Sequence, residues 1–200
     1  LGHLGYGKPN VITSVQMEEM AKKGKIIRPS DGKEAKKVAF IQCAGSRDPN
    51  HLPYCSSFCC ATSLKQAKYV REKNSDAIAM IFYKDIRTPG QSEIFYKNMQ
   101  NDPGVLLTKA DVTGISDAGN SSLFVEAENA LLGEKIKVEA DLVVLAIGVV
   151  PGTRAPQEYL DGLTEAQKKG DDAKAKYLEE TPKPEFILNL DYRQGPEIPS

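Results

Sequence analysis

The sequence lacks a charge imbalance. Lys and Arg total 26 against 27 Asp and Glu, for a net charge of −1. That gives no electrostatic reason to expect nucleic acid or an anionic membrane as a partner. It also lacks a long apolar run. The longest, Leu142 to Val150, has the length of a strand and excludes a direct membrane span. No charged segment followed by an apolar one opens the chain, so no secretory signal is read there. Histidine is scarce: His3 and His51 share no ligand pattern, and each reads as a surface residue. No internal repeat is visible. Both ends, Leu1-Gly2-His3 and Pro199-Ser200, read as cuts through a longer protein.

Cysteine is absent except in one stretch, which holds all 4: Cys43, Cys55, Cys59 and Cys60, spaced C-x11-C-x3-C-C. Neighbours such as Cys59 and Cys60 rarely offer disulfide geometry to each other. The clustering is unlike a disulfide framework and points to a reducing, cytoplasmic setting. Four thiolates suit zinc or an iron–sulfur cluster. Zinc sites favour paired knuckles, and this chain has one C-x3-C without a second. Spacing therefore leans to iron–sulfur and leaves zinc open. The bland alternative is a set of buried core thiols, which an adjacent pair plus two more makes an expensive coincidence.

The order of elements frames the cysteines. Residues 1–36 read as a lead-in and linker, with a short strand at Val11-Ile12-Thr13 and a helix from Ser14, its expected cap, to Lys23. Residues 37–150 read as a Rossmann-like domain. Lys37 to Cys43, Asp76 to Tyr83 and Val105 to Thr108 are expected strands, joined by helices running from Ser56 or Ser57 to Lys73 and from Gln91 to Gln100. Strand–helix alternation is the grammar of a parallel sheet with crossovers. Asp111 to Ile115, Ser122 to Glu128 and Lys135 to Val138 alternate like a small antiparallel excursion, before Asp141 to Gly148 returns as a buried strand. Residues 151–200 read as a helical and Pro-rich return segment. The fold class is α/β: a Rossmann-like parallel sheet with a small antiparallel excursion.

In such sheets ligands bind beyond the carboxyl ends of the strands. Cys43 ends the first strand of the domain, and the other three cysteines surround the start of its first helix, whose positive end favours thiolates. Cys55 and Cys59 align if the first turn there is already helical. A nucleotide-binding unit would carry G-x-G-x-x-G at this point, but the chain reads Cys43-Ala44-Gly45-Ser46-Arg47-Asp48. The glycines that let backbone approach a pyrophosphate are missing. A metal centre replacing the nucleotide is the reading that follows.

These residues carry a resemblance. Val38 to Asp48 (VAFIQCAGSRD), Pro53 to Cys60 (PYCSSFCC), Ile81 to Thr88 (IFYKDIRT), Gly5-Tyr6-Gly7 and Pro9 to Thr13 resemble the A-type subunits of heterodisulfide reductase. They equally resemble the related flavoprotein subunits of the quinone-interacting membrane-bound oxidoreductase of sulfate reducers. The likeness spans about residues 4–152. It implies a thioredoxin-reductase-like flavoprotein, with FAD in one domain and a [4Fe–4S] cluster on the motif matched by Cys43, Cys55, Cys59 and Cys60. Ala146-Ile147-Gly148 resembles the Ala-Thr-Gly turn that crosses back to the FAD domain, with Ile147 departing from Thr. In the whole protein Lys65, on the cluster-bearing helix, is placed to face the flavin, with a solvated helix lysine as the plain alternative; Arg87 stands where related reductases bind a nucleotide phosphate, and with the glycines gone it is expected to pair with a carboxylate or a subunit. The FAD domain's glycine motif and C-terminal flavin segment are absent, so FAD is not expected on this chain alone. The implied function is electron transfer between FAD and other centres of a multi-subunit redox complex. Rivals are a structural zinc module that assembles subunits and a plain NAD(P)-binding domain.

Overall fold

The computed structural model describes residues 2–150 and 164–165. The chain divides into two compact units, Leu1–Gly148 and Val149–Ser200. The first holds the sheet. The helical and Pro-rich character expected beyond residue 150 lies outside the described residues, except that Thr164 and Glu165 are helical.

Seven strands form one sheet in the order β1-β7-β2-β3-β4-β5-β6. They are β1 (Val11–Thr13), β2 (Lys37–Ala44), β3 (Ile78–Tyr83), β4 (Val105–Gly119), β5 (Ser122–Asn129), β6 (Lys135–Ala140) and β7 (Leu142–Ile147). Strands β1, β7, β2, β3 and the start of β4 run parallel. Three helices connect them: α1 (Ser14–Lys22), α2 (Cys59–Lys73) and α3 (Ser92–Gln100). The arrangement is Rossmann-like, with the antiparallel excursion attached at one edge.

Fully buried strands explain the apolar runs. On one face Val38, Phe40, Ile81 and Val144 pack with Leu64, Ala67 and Val70 of α2. On the other, Ala39, Ile41, Val143 and Leu145 pack with Leu123, Val125 and Ala127 of β5. Full burial of each larger side chain contributes about 1.5–3 kcal/mol. A two-sided core of this kind needs both α2 and the excursion as covers.

Several local expectations change. Asp111 to Ile115 is not a separate strand. It continues β4, whose first half pairs parallel with β3 and whose second pairs antiparallel with β5. The cap of α1 is Thr13 rather than Ser14: Thr13 accepts from the Gln16 backbone N–H, and the Gln16 side chain accepts from the Thr13 N–H. That reciprocal box satisfies two donors at once.

The lead-in is stitched to the sheet by Asn10, only 3% exposed. Its Nδ2 donates to Ser30 Oγ at 2.9 Å and to the Ser121 carbonyl at 2.6 Å, while its Oδ1 accepts from Ser30 N–H at 3.0 Å. Asn10→Ala leaves these groups short of partners and is expected to cost about 1–2 kcal/mol. A urea transition shows this as a lower midpoint at unchanged slope. A midpoint equal to the parent's would make the three bonds irrelevant to stability.

Candidate metal centre

The four cysteines meet at the carboxyl end of the parallel sheet. β2 carries a bulge there: between Ile41 and Ala44 it advances three residues while β7 advances two, from Leu145 to Ile147. Bulges re-aim a side chain. The re-aimed residue is Cys43, whose φ of +54° lies in the left-handed region. A non-glycine residue there costs about 1–3 kcal/mol unless its surroundings hold it.

The chain then loops through residues 45–58 before α2 begins at Cys59. Helix α2 starts later than its serines predict. Ser57 is left-handed at φ +63°, which breaks any turn from Ser56, and Phe58 caps without a side-chain bond. Cys55 and Cys59 therefore do not share a helical turn. Cys55 Sγ instead accepts from Ser57 N–H at 3.4 Å. Cys59 Sγ lies 3.5 Å from the Ile147 carbonyl at the end of β7, and Cys60 Sγ lies 3.7 Å from the Asp85 carbonyl just past β3. The thiols are free and reach three strand ends.

Burial and neighbouring thiols push Cys59 up to about 11. Burial also raises Cys43, opposed by the Arg47 guanidinium. Alone, Cys43 and Cys59 raised in this way stay protonated; an electrophilic centre is what would turn them into thiolates. Zinc and iron–sulfur centres both have the required affinity for four sulfurs.

The surroundings fit a guest. Among the described residues five buried side-chain polar atoms have no hydrogen-bond partner, and four of them belong to Gln42, Ser46 and Ser63. Gln42 precedes Cys43, Ser46 follows it by three, and Ser63 lies one turn beyond Cys59 on α2. Gln42, Cys43 and Ser46 also line a cavity of about 250 Å³ with His3, Asp48 and Lys84, which the other three cysteines do not line. Orphaned polar atoms concentrated beside these cysteines call for a bound group or water. Gly148 is part of the same packing: a Cβ there would stand 2.2 Å from Ser46 Oγ and 2.7 Å from Ser56 Oγ.

Other residues singled out in the sequence fall as follows. Ile147 supplies the carbonyl facing Cys59, and Gly148 packs under the loop. Lys65 points to α1, where its Nζ pairs with Glu18 Oε1 at 2.9 Å. Arg87 adds positive charge near Asp85. His3 and His51 are brought together, with ring centroids 4.7 Å apart. His51 Nδ1 is 3.0 Å from Asp48 Oδ2, and Asp48 Oδ1 accepts from Asn50 N–H at 2.9 Å. Both carboxylate oxygens thus have partners inside the loop.

Residue patterns gave no role to Arg47 or Asp85, yet they bridge the site. Arg47 Nη2 pairs with Asp85 Oδ2 at 2.8 Å. The signal was present only as a charged residue four places after the first cysteine.

No family profile matches the chain. Among curated proteins it is 42% identical over 156 residues to the second A-type iron-sulfur subunit of CoB–CoM heterodisulfide reductase from Methanopyrus kandleri, covering 74% of this chain and 24% of that protein. It is 40% identical over 162 residues to the A-type iron-sulfur subunit of the same reductase from Methanocaldococcus jannaschii, covering 76% and 25%. Among solved structures, the L-lysine 6-monooxygenase of Pseudomonas syringae matches at a TM-score of 0.52 and 9% identity over 80% of this chain and 44% of that one, a likeness of fold alone. A thioredoxin reductase from T. acidophilum matches at 0.45 and 17% identity, over 76% and 42%. The chain spans about a quarter of the length of the curated relatives it matches. With 35–42% identity to several such subunits over about three quarters of its length, the chain is similar to one portion of heterodisulfide reductase A-type subunits.

Proposed function

We propose that Cys43, Cys55, Cys59 and Cys60 hold a [4Fe–4S] cluster, and that the chain passes electrons between FAD in the whole protein and other redox centres of a multi-subunit complex. In this reading residues 37–150 are the cluster-bearing portion, residues 1–36 lead in and residues 151–200 lead out. The observation that carries it is the spread of the sulfurs. Among the described residues, only His3, Asp48 and His51 form a trio of ligand atoms all within 4.8 Å of one another. No three cysteine sulfurs are that close. A single zinc with bonds of about 2.3 Å needs sulfurs about 3.8 Å apart. A wider set supports a polynuclear centre. The names of the relatives, iron-sulfur subunits of a reductase, support the same reading.

When bound, the cluster would supply reversible one-electron storage. The chain's own residues do the rest. β2, α2 and the loop between them place the thiols. The Arg47 N–H donates to the Tyr54 carbonyl at 3.1 Å beside Cys55, and the Leu52 N–H to the Gly45 carbonyl at 3.1 Å, which draws the loop together. The missing glycine motif and the long loop at residues 45–58 disfavour a nucleotide at this edge. Flavin contact by Lys65, Ile147 and Gly148 belongs to the whole protein, and for Lys65 it competes with the Glu18 pair. Among the described residues no helix is long and apolar enough to cross a membrane. The proposed setting is cytoplasmic, where clustered thiols stay reduced.

The test is elemental analysis and visible absorption of the anaerobically reconstituted chain. About four iron per chain and a brown solution are expected. A colourless protein with one zinc would replace the proposal with an assembly module, and micromolar NADH affinity by calorimetry would favour a nucleotide domain.

A further inference from the structure

Arg47 stands between two of the cysteine-bearing segments. Its guanidinium is near enough to Cys43 to act on that thiol electrostatically. It also pairs with Asp85, whose carboxylate has Lys109 Nζ at 3.7 Å on its other oxygen. The Asp85 main-chain carbonyl is the group facing Cys60. The side chain of Arg47 is about a quarter exposed, so water screens its charge only in part. Its backbone is left-handed at φ +54°, which a loop arginine adopts only when the surroundings hold it.

We infer that Arg47 sets the reduction potential of the centre and that Asp85 sets how much of the Arg47 charge the centre feels. This rests on the cluster reading. One electron, from a reduced flavin in the proposed complex or from dithionite in vitro, enters the oxidised cluster and makes it one unit more negative. A cation held beside the sulfur of a cluster ligand stabilises that more negative state and raises the potential. A carboxylate nearby does the opposite. Removing the two charges must therefore move the potential in opposite directions, which loss of a merely structural clamp would not do.

The experiment uses the reconstituted chain, with iron content measured first and the potential then read by EPR-monitored redox titration. Arg47→Gln is expected to lower the potential and Asp85→Asn to raise it. Each should change the reduction equilibrium by about tenfold, which is about 59 mV for one electron. Arg47→Lys keeps the sign of the charge and should fall between parent and Arg47→Gln. At full iron content, unchanged potentials or shifts of the same sign overturn the inference and leave the cluster standing. If Arg47→Gln takes up no iron, Asp85→Asn decides: a rise supports the inference and no rise sinks it. A parent chain that takes up no iron overturns the cluster and this inference together.

Discussion

Cys59→Ser should strip the chain of its metal and leave the sheet intact. Cys59 is 7% exposed, faces the end of β7 and feels all three of the other thiols. Serine keeps the size but offers iron a poor ligand. Iron is expected to fall from about four per chain to below about one, with visible absorption falling in step. Far-ultraviolet circular dichroism should not change. Phe40, Leu64, Ile81 and Val144 form the core with no help from the cysteines. Retention of full iron would remove Cys59 from the ligand set. Loss of both iron and secondary structure would point to a metal whose task is to hold the fold, as in a zinc module.

Gly148→Ala should be the most destabilising single methyl in this part of the molecule. The added carbon would meet Ser46 Oγ at 2.2 Å, Ser56 Oγ at 2.7 Å and Leu52 Cδ1 at 3.1 Å. Ser46 Oγ has no hydrogen-bond partner and can turn, but the backbone behind it is tied. The Ser46 N–H is bonded to the Cys43 carbonyl at 3.1 Å, and the Leu52 N–H to the Gly45 carbonyl at 3.1 Å. Relief therefore requires these side chains to turn together or the loop to shift. A cost of about 2–3 kcal/mol is expected in urea unfolding, the upper part of the usual range for overpacking. Iron uptake should fall as well, because the displaced segment carries Cys43 and Cys55. A variant within about 0.5 kcal/mol of the parent would mean that the packing there is loose.

Much of this was legible in residue order. Buried strands betray themselves by continuous apolar runs, and KVAFIQC and DLVVLAIG did so. Four cysteines at a strand end and a helix start specified one edge of one sheet. The rest turns on backbone states that side-chain patterns do not encode. Nothing about Gln42-Cys43 announces a bulge, since the extra residue is defined only against β7. Ser57 reads as a cap by chemistry, but its left-handed φ moves the cap to Phe58, one residue on. Strand β4 looks like two strands because its burial pattern changes where its partner changes from β3 to β5. His3 and His51 are 48 positions apart, and only the fold brings their rings into contact. Arg47 and Asp85 are charged residues in loops, a class in which sequence does not separate a solvated pair from one wedged against a thiol.

Cys43, Arg47 and Ser57 are three left-handed non-glycine residues at or within one loop. Each is held at a cost of about 1–3 kcal/mol, while the rest of the parallel strands and α2 carry no such burden. Without a metal, this loop is cheaper to open than the parallel strands and α2, and opening it relieves Arg47 and Ser57. The order of maturation follows. On the cluster reading, the sheet would form first on its two-sided core, and binding of the metal would then order the loop. Amide exchange on the unloaded chain should show fast loop amides between Gly45 and Phe58 beside slow ones in β2, β3 and β7, and loading should slow only the former.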